Sequence, residues 1–94
     1  MSQIVLPDKG FIKAKVVDEQ LEPLVAIVVV TREGTAVASE VTDRDGICEF
    51  ALYPTAYHVT ALKRNYLPTS KIVDVVSCNV TRVGLMLRLQ VGDE

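Results

Sequence analysis

Short apolar runs separated by turn-forming residues recur along the chain at intervals of roughly ten residues, a spacing typical of an all-β protein. Within most runs apolar and polar residues alternate, as they do in a β-strand that buries one face. No window combines the i, i+3, i+4, i+7 spacing of an amphipathic helix with caps at both ends. The predicted strands cover residues 11–17, 26–32, 36–42, 47–53, 57–63, 71–77 and 80–91.

The number of these strands predicts two sheets packed face to face. Seven strands in 94 residues form a seven-stranded, two-sheet Greek-key sandwich, because each sheet must bury its apolar face against another layer. We expect one domain over residues 1–94, with its core at 10–91 and short flexible ends at 1–9 and 92–94. The alternation predicts buried side chains at Phe50, Leu52, Tyr57, Val59, Val83, Leu85, Leu87, Leu89 and Val91. It predicts exposed side chains at Lys13, Lys15, Glu49, Arg82 and Arg88.

Charge and the distribution of apolar residues exclude several function classes. A net charge of −2 argues against a nucleic-acid binder, which relies on cationic contacts to phosphate. No apolar run approaches the ~20 residues of a transmembrane helix. Residues 1–11 lack the basic segment and the longer apolar segment of a secretory signal. As written, the chain is expected to be cytoplasmic, or to be a domain of, or a part assembled into, an exported or surface structure.

The acidic stretch DRDG at residues 43–46 raises the question of a metal site. An EF-hand loop needs oxygen ligands at its first and twelfth positions and glycine at the sixth. With Gly46 at the sixth position, those two positions are Val41 and Leu52, which cannot bind calcium through their side chains. Only a weak, irregular calcium site that adds Glu40 to the two aspartates remains open.

The same stretch is also considered as a catalytic acid pair and as a turn. Asp43 and Asp45 have no apolar neighbours that would raise a pKa and no adjacent nucleophile, which argues against acid–base catalysis. Asp-Gly between alternating apolar runs is a strong hairpin signal, because Gly46 adopts a positive φ freely. The sequence therefore predicts a structural hairpin turn at Asp43, Asp45 and Gly46.

With this hairpin in place the chain resembles a known family. VTDRDGICEF at 41–50 resembles the T-D-x-x-G-x-F-x-F signature of carboxypeptidase regulatory-like domains, which share the transthyretin-like (prealbumin-like) sandwich. KVVDEQLEPLVAIVVV at 15–30 is similar to the family's Val-x-Asp, loop and Pro-Leu-x-Gly-Ala pattern. LYPTAYHVTALKRNY at 52–66 is similar to its Leu-Pro-x-Gly-x-Tyr and Gly-Tyr segments. The resemblance covers roughly residues 10–90 and implies a transthyretin-like or immunoglobulin-like (Ig-like) fold.

The chain departs from the family at several turn and core positions. Leu21, Val25, Ala56 and Asn65 replace family glycines, and Cys48 stands where the family has an aromatic residue. Asn65 is the mildest change, because asparagine enters the left-handed region readily. The shared motifs describe turns and core positions, so the resemblance implies a structural or accessory part, as in surface proteins, phage-tail-like particles or secretion machinery.

The residues that carry chemistry are few. The same sandwich hosts hydroxyisourate hydrolase, and resemblance to that enzyme implies several histidines, an arginine and a Tyr-Arg-Gly-Ser tail. This chain has one histidine, His58, predicted to point away from the core, and it ends in LRLQVGDE.

Cys48 and Cys78 lack metal-binding spacing and predict two reduced, buried thiols, with a disulfide as the alternative. We therefore expect no enzymatic activity, no cofactor and no metal.

Within two predicted strands, residues 26–30 are apolar on both faces, and residues 71–76 are nearly so. A two-layer sandwich covers only one face of each sheet, so a protein partner or another copy is expected to cover the second. Free backbone groups on edge strands offer a further route to association. The predicted interaction surface comprises whichever of four residues prove to face solvent: Ile27, Val29, Val73 and Val75.

The leading hypothesis from these patterns is a non-enzymatic adaptor or structural module that mediates protein–protein assembly. The alternative is a carbohydrate-binding or small-ligand-binding module, which the lack of tryptophan argues against, since sugar sites use exposed aromatic rings. A hydrolase of the hydroxyisourate type is the third possibility and lacks its motifs.

Overall fold

The computed structural model describes residues 8–91, and the all-β prediction is confirmed. Of the predicted flexible ends at 1–9 and 92–94, residues 1–7 and 92–94 lie outside the described residues. The strands are β1 (Gly10–Val17), β2 (Ile27–Arg32), β3 (Thr35–Val41), β4 (Ile47–Leu52), β5 (Ala56–Leu62), β6 (Tyr66–Leu67), β7 (Thr69–Asp74), β8 (Val80–Met86) and β9 (Arg88–Leu89). Within the described range there is no helix long and apolar enough to cross a membrane.

Seven of these strands form the two layers of the predicted sandwich. One sheet has the order β4-β1-β8 and the other the order β3-β2-β5-β7, while the short β6 and β9 pair with each other. The chain crosses between the two layers after β1, β3, β4 and β7. Each layer therefore receives strands from both halves of the sequence, which makes the core a long-range structure.

Strand β1 lies at the centre of the three-stranded sheet, and its inward residues are small or β-branched. Ile12, Ala14 and Val16 are fully buried, whereas Lys15 points to solvent. β1 pairs antiparallel with β4, with Ile12 opposite Phe50, and parallel with β8, with Val16 opposite Leu85. The pairing with β8 joins the beginning and the end of the domain.

Most predicted core positions are buried, and the two exposed exceptions have a common cause. Phe50, Tyr57, Val59, Val83, Leu85 and Leu87 are buried, but Leu52 is half-buried and Leu89 and Val91 are exposed. The β1–β8 ladder ends at the pair Val17–Met86, where β1 itself ends. Beyond that point the chain leaves the sandwich, and Leu89 pairs with Tyr66 in the small sheet. The expected continuous strand to residue 91 was therefore wrong.

The predicted exposed residues are nearly all exposed. Lys15, Glu49, Arg82 and Arg88 are exposed, whereas Lys13 is half-buried. Lys13 occupies the middle of β1 with Glu49 opposite it on β4 and Arg82 opposite it on β8, so neighbours on both sides cover its aliphatic stem.

Candidate functional site

Asp43 organises the turn between β3 and β4. Its Oδ1 atom accepts hydrogen bonds from the backbone N–H groups of Asp45 at 2.9 Å and Ile47 at 3.0 Å. The N–H of Gly46 donates to the Asp43 carbonyl at 2.9 Å, and the N–H of Asp43 donates to the Ile47 carbonyl at 2.9 Å. Gly46 has a φ of 78°, in the left-handed region that glycine adopts freely. Residues 43–46 are thus a hydrogen-bonded turn in which one oxygen of Asp43 is already engaged by two donors.

The loop after β1 repeats this arrangement. Asp18 Oδ1 accepts hydrogen bonds from the N–H groups of Gln20 at 2.8 Å and Glu22 at 2.9 Å. The N–H of Leu21 donates to the Asp18 carbonyl at 3.0 Å, and the N–H of Asp18 donates to the Glu22 carbonyl at 2.9 Å. Leu21 occupies the position equivalent to Gly46 and has a φ of 66°. Leu21 therefore adopts the left-handed conformation that Gly46 adopts in the turn of residues 43–46.

Replacing Leu21 with glycine is expected to raise the free energy of unfolding by about 0.5–1 kcal/mol. The left-handed conformation costs a non-glycine residue about 1–2 kcal/mol, and the greater entropy of glycine in the unfolded chain offsets part of the gain. The Leu21 side chain is 67% exposed, so little packing is lost. Urea unfolding of Leu21→Gly would measure the change.

Val25→Gly is the matched control for that prediction. Val25 also replaces a family glycine, but it is not among the residues with positive φ. Val25→Gly should therefore relieve no backbone strain, and it should lower the free energy of unfolding because glycine adds conformational entropy to the unfolded chain. Equal effects of the two substitutions would contradict the assignment of strain to Leu21.

The structure separates the four residues of the predicted interaction surface. Ile27 is exposed and Val29 is half-buried, and both point away from the core on β2. Val73 and Val75 are buried in the chain's own core, so they cannot contribute to a surface. Val73 lies opposite the buried Tyr57 in the β5–β7 ladder, which turns its side chain inward. The outward positions of this segment are instead Ile72 and Val76.

Ile27 belongs to an apolar patch on the outer face of the four-stranded sheet. Val41 lies opposite it on β3 and Leu62 lies opposite it on β5, so the three side chains form one row across adjacent strands. Val25, just before β2, lines the same shallow depression. These residues are between 38% and 59% exposed, and we call Val25, Ile27, Val41 and Leu62 the Ile27 patch.

Both edge strands of the same sheet carry a charged residue in an inward register position. Glu40 lies opposite Val28 in the β2–β3 ladder, and Lys71 lies opposite Val59 in the β5–β7 ladder. Val28 and Val59 are fully buried. Inward charges on edge strands oppose the addition of a further strand, since the charge would be desolvated. This sheet is therefore poorly suited to the strand pairing expected from its free edges.

The two thiols occupy different environments. Cys48 is buried, and burial raises the pKa of its thiol to about 11, with smaller contributions from the carboxylates of Glu40 and Asp43. Cys78 is exposed in the β7–β8 turn, with a φ of 61° and its Sγ 3.6 Å from Oδ2 of Asp8. Both cysteines are free, and the prediction that both thiols are buried is wrong for Cys78.

The remaining candidate for chemistry is His58. His58 is exposed, as the alternation predicts, and lies opposite Ile72 on β7. In the described part of the chain no group of three or more His, Cys, Asp or Glu residues is placed to hold a metal ion.

Comparison with known proteins identifies the fold. No family model matches the chain, and no curated protein matches it. The Bacillus anthracis TIE protein superposes with a TM-score of 0.73 and 22% identity over 87% of this chain and 17% of its own. GBS52, the minor pilin of Streptococcus agalactiae, superposes with a TM-score of 0.73 and 11% identity over 96% of this chain and 48% of its own.

A third solved structure bears on the enzymatic alternative. Klebsiella pneumoniae 5-hydroxyisourate hydrolase superposes with a TM-score of only 0.54 and 12% identity, over 98% of this chain and 100% of its own. At these identities the likenesses show the fold alone, and the chain spans less than half the length of the first two proteins. The chain thus has a transthyretin-like β-sandwich fold, of a kind also found as part of a longer minor pilin.

Proposed function

We propose that this protein is a non-enzymatic β-sandwich module that assembles with another protein through the Ile27 patch, and that a second copy of the chain is the partner. The observation that carries the proposal is the row Val41–Ile27–Leu62, in which three apolar side chains on adjacent strands face solvent. Covering such a row removes apolar surface from water, which is the main driving force of protein association.

The charges beside the patch favour a second copy as the partner. Asp43 and Asp45 follow β3 on one side of the patch, whereas Lys63 and Arg64 follow β5 on the other. A two-fold axis parallel to β2, placed between two facing sheets, would bring the acidic side of each copy over the basic side of the other. Such a contact is self-complementary, as a two-fold interface must be. Apolar burial supplies the affinity, and exposed charge pairs contribute little to it.

The turn motif supports a structural role and the finer family assignment. Thr42, the first residue of the Thr-Asp-Gly motif, is buried, and its hydroxyl donates to the Leu24 carbonyl at 2.7 Å. The same oxygen accepts a hydrogen bond from the Ala26 N–H at 2.8 Å. Thr42 therefore ties the β3–β4 turn to the segment that enters β2. We assign the chain to the carboxypeptidase regulatory-like group on this motif, which acts in folding and not in chemistry.

The absence of enzymatic activity is part of the same proposal. Exposed His58 has its neighbouring positions on β2 and β7 taken by Thr31 and Ile72, which supply no charge to orient or activate an imidazole. The hydroxyl of Ser70 forms a hydrogen bond with the hydroxyl of Thr60. Similarity in fold to GBS52, a minor pilin, supports a place within a larger assembly.

Ile27→Lys is expected to convert the associated protein into a monomer without changing its β-sheet circular dichroism. Ile27 lies at the centre of the patch, and a lysine there would have to be desolvated on pairing. Sedimentation velocity at increasing protein concentration would measure the change. Raising the salt concentration from about 0.1 M to about 1 M should weaken wild-type association only slightly, because apolar burial is not screened.

Ile72→Lys is the matched control, since Ile72 is 70% exposed on the same outer face but lies on edge strand β7, away from the patch. This variant should associate like the wild type. A wild-type chain that stays monomeric at high concentration would overturn pairing through the Ile27 patch. Equal loss of association in both variants would show that the interface is not centred on the Ile27 patch.

A further inference from the structure

A cleft opens where the edges of the two sheets meet, between β3 and β4. Its volume is about 540 Å³, which is within the range of small-molecule sites. Val37 and Ala38 of β3 form one wall, and Leu52 of β4 with the following loop forms the other. The cleft's lining shares no residue with the Ile27 patch.

The charge of the cleft is opposite in sign to that of the whole chain. Lys9 and Arg32 both line it, and its lining contains no aspartate or glutamate. The chain as a whole carries a net charge of −2. Two cations over an apolar floor, with no carboxylate to neutralise them, form an environment that attracts an anion.

The loop that forms the outer wall is held in place. The Tyr57 hydroxyl donates a hydrogen bond to the Tyr53 carbonyl at 2.7 Å, and the Tyr57 ring is buried in the core. The Lys9 ammonium lies 5.1 Å from the centre of the Tyr53 ring, a cation–π contact that sets both groups at the rim of the cleft. The apolar wall and one of the two cations are therefore positioned before any ligand arrives.

The shape of β3 favours a small ligand over an added peptide strand. The β2–β3 ladder shifts register between Val30 and Thr31, which places Val37 in a bulge beside the cleft. A bulge breaks the regular row of backbone groups that strand pairing requires. Glu40, in an inward position farther along the same strand, opposes strand addition there as well.

We propose that this cleft binds a small anionic ligand consisting of a carboxylate on an apolar body. The carboxylate would be held by Arg32 and Lys9, and the apolar body would lie between Val37 and Leu52. A guanidinium suits this role because its planar N–H groups match a carboxylate in two parallel hydrogen bonds. The site does not depend on association through the Ile27 patch.

Titration of the ¹⁵N-labelled chain with 2-naphthoate at millimolar concentration, followed by NMR, tests the proposal. The backbone amides of Val37, Leu52, Tyr53 and Thr55 are expected to shift together with one dissociation constant. The neutral analogue 2-naphthalenemethanol should bind about tenfold more weakly, because it lacks the charge that the two cations recognise. Arg32→Gln should weaken naphthoate binding by about tenfold on the same grounds.

Lys15→Gln makes the same charge change on the outer face of the other sheet, and it should leave naphthoate binding unchanged. Circular dichroism of each variant establishes that it is folded. The proposal is overturned if naphthoate shifts no cleft amides, if the acid and the alcohol bind equally well, or if Arg32→Gln and Lys15→Gln have equal effects.

Discussion

Phe50→Ala is expected to lower the free energy of unfolding by about 3–5 kcal/mol. Phe50 is 5% exposed and belongs to the hydrophobic cluster between the two sheets, so its removal leaves a cavity that rigid strands on both sides cannot close. Small domains have a total stability of only about 5–15 kcal/mol, so the variant is expected to be largely unfolded at moderate temperature. Urea unfolding monitored by circular dichroism would measure the loss.

Phe11→Ala provides the matched control, because it deletes the same ring from a neighbouring strand. Phe11 lies on the outer face of β1 and is 40% exposed, so its replacement should cost much less than that of Phe50. If Phe50→Ala remained as stable as the wild type, the inward register of β4 and its pairing of Phe50 with Ile12 would be wrong.

Gly46→Val is expected to have the second-largest effect, about 3 kcal/mol or more, and Gly46→Ala to show most of it. A side chain at a φ of 78° is strained by about 1–2 kcal/mol, and more when it is β-branched. A Cβ atom at Gly46 would in addition lie 2.5 Å from the Val16 carbonyl oxygen. That oxygen belongs to the backbone of the central strand and cannot move without disturbing the sheet.

Gly34→Ala separates the two contributions. Gly34 has a φ of 80°, nearly the same as that of Gly46, but nothing lies within 4 Å of the position of its Cβ. Gly34→Ala should therefore show the backbone strain alone, about 1–2 kcal/mol. The difference between Gly46→Ala and Gly34→Ala, read from two urea unfolding curves, measures the collision. Equal losses of stability in the two variants would mean that the backbone near Gly46 shifts to accommodate the added methyl group.

The residues with a positive φ illustrate how far local sequence predicts local conformation. Gly46 and Asn65 have the positive φ that their residue types favour, so the turns they occupy follow from the sequence. Leu21, Glu33 and Cys78 also have a positive φ, and nothing in their chemistry predicts it. For Leu21 the cause is the loop that Asp18 closes around it, whose hydrogen bonds outweigh the strain of one residue.

The apolar–polar alternation predicted the seven strands of the sandwich, because a period of two is a property of the strand itself. It could not orient a strand that is apolar on both faces. In residues 72–76, Ile72 and Val76 were as good candidates for the core as Val73 and Val75. The choice is made by pairing with β5, where Val73 meets Tyr57 across the ladder, and so depends on residues about fifteen positions away.

The sequence by itself therefore determined the all-β class, the number of main strands and the turn at Asp43–Gly46, since each depends on residues that are neighbours in the chain. Only the tertiary structure decided the parallel pairing of β1 with β8, the end of the sandwich at Met86, the Ile27 patch and the cleft beside Arg32. Each of these arises where segments far apart in sequence come together. Their formation depends on which strand becomes the neighbour of which, and the period of a single strand contains no information about its neighbours.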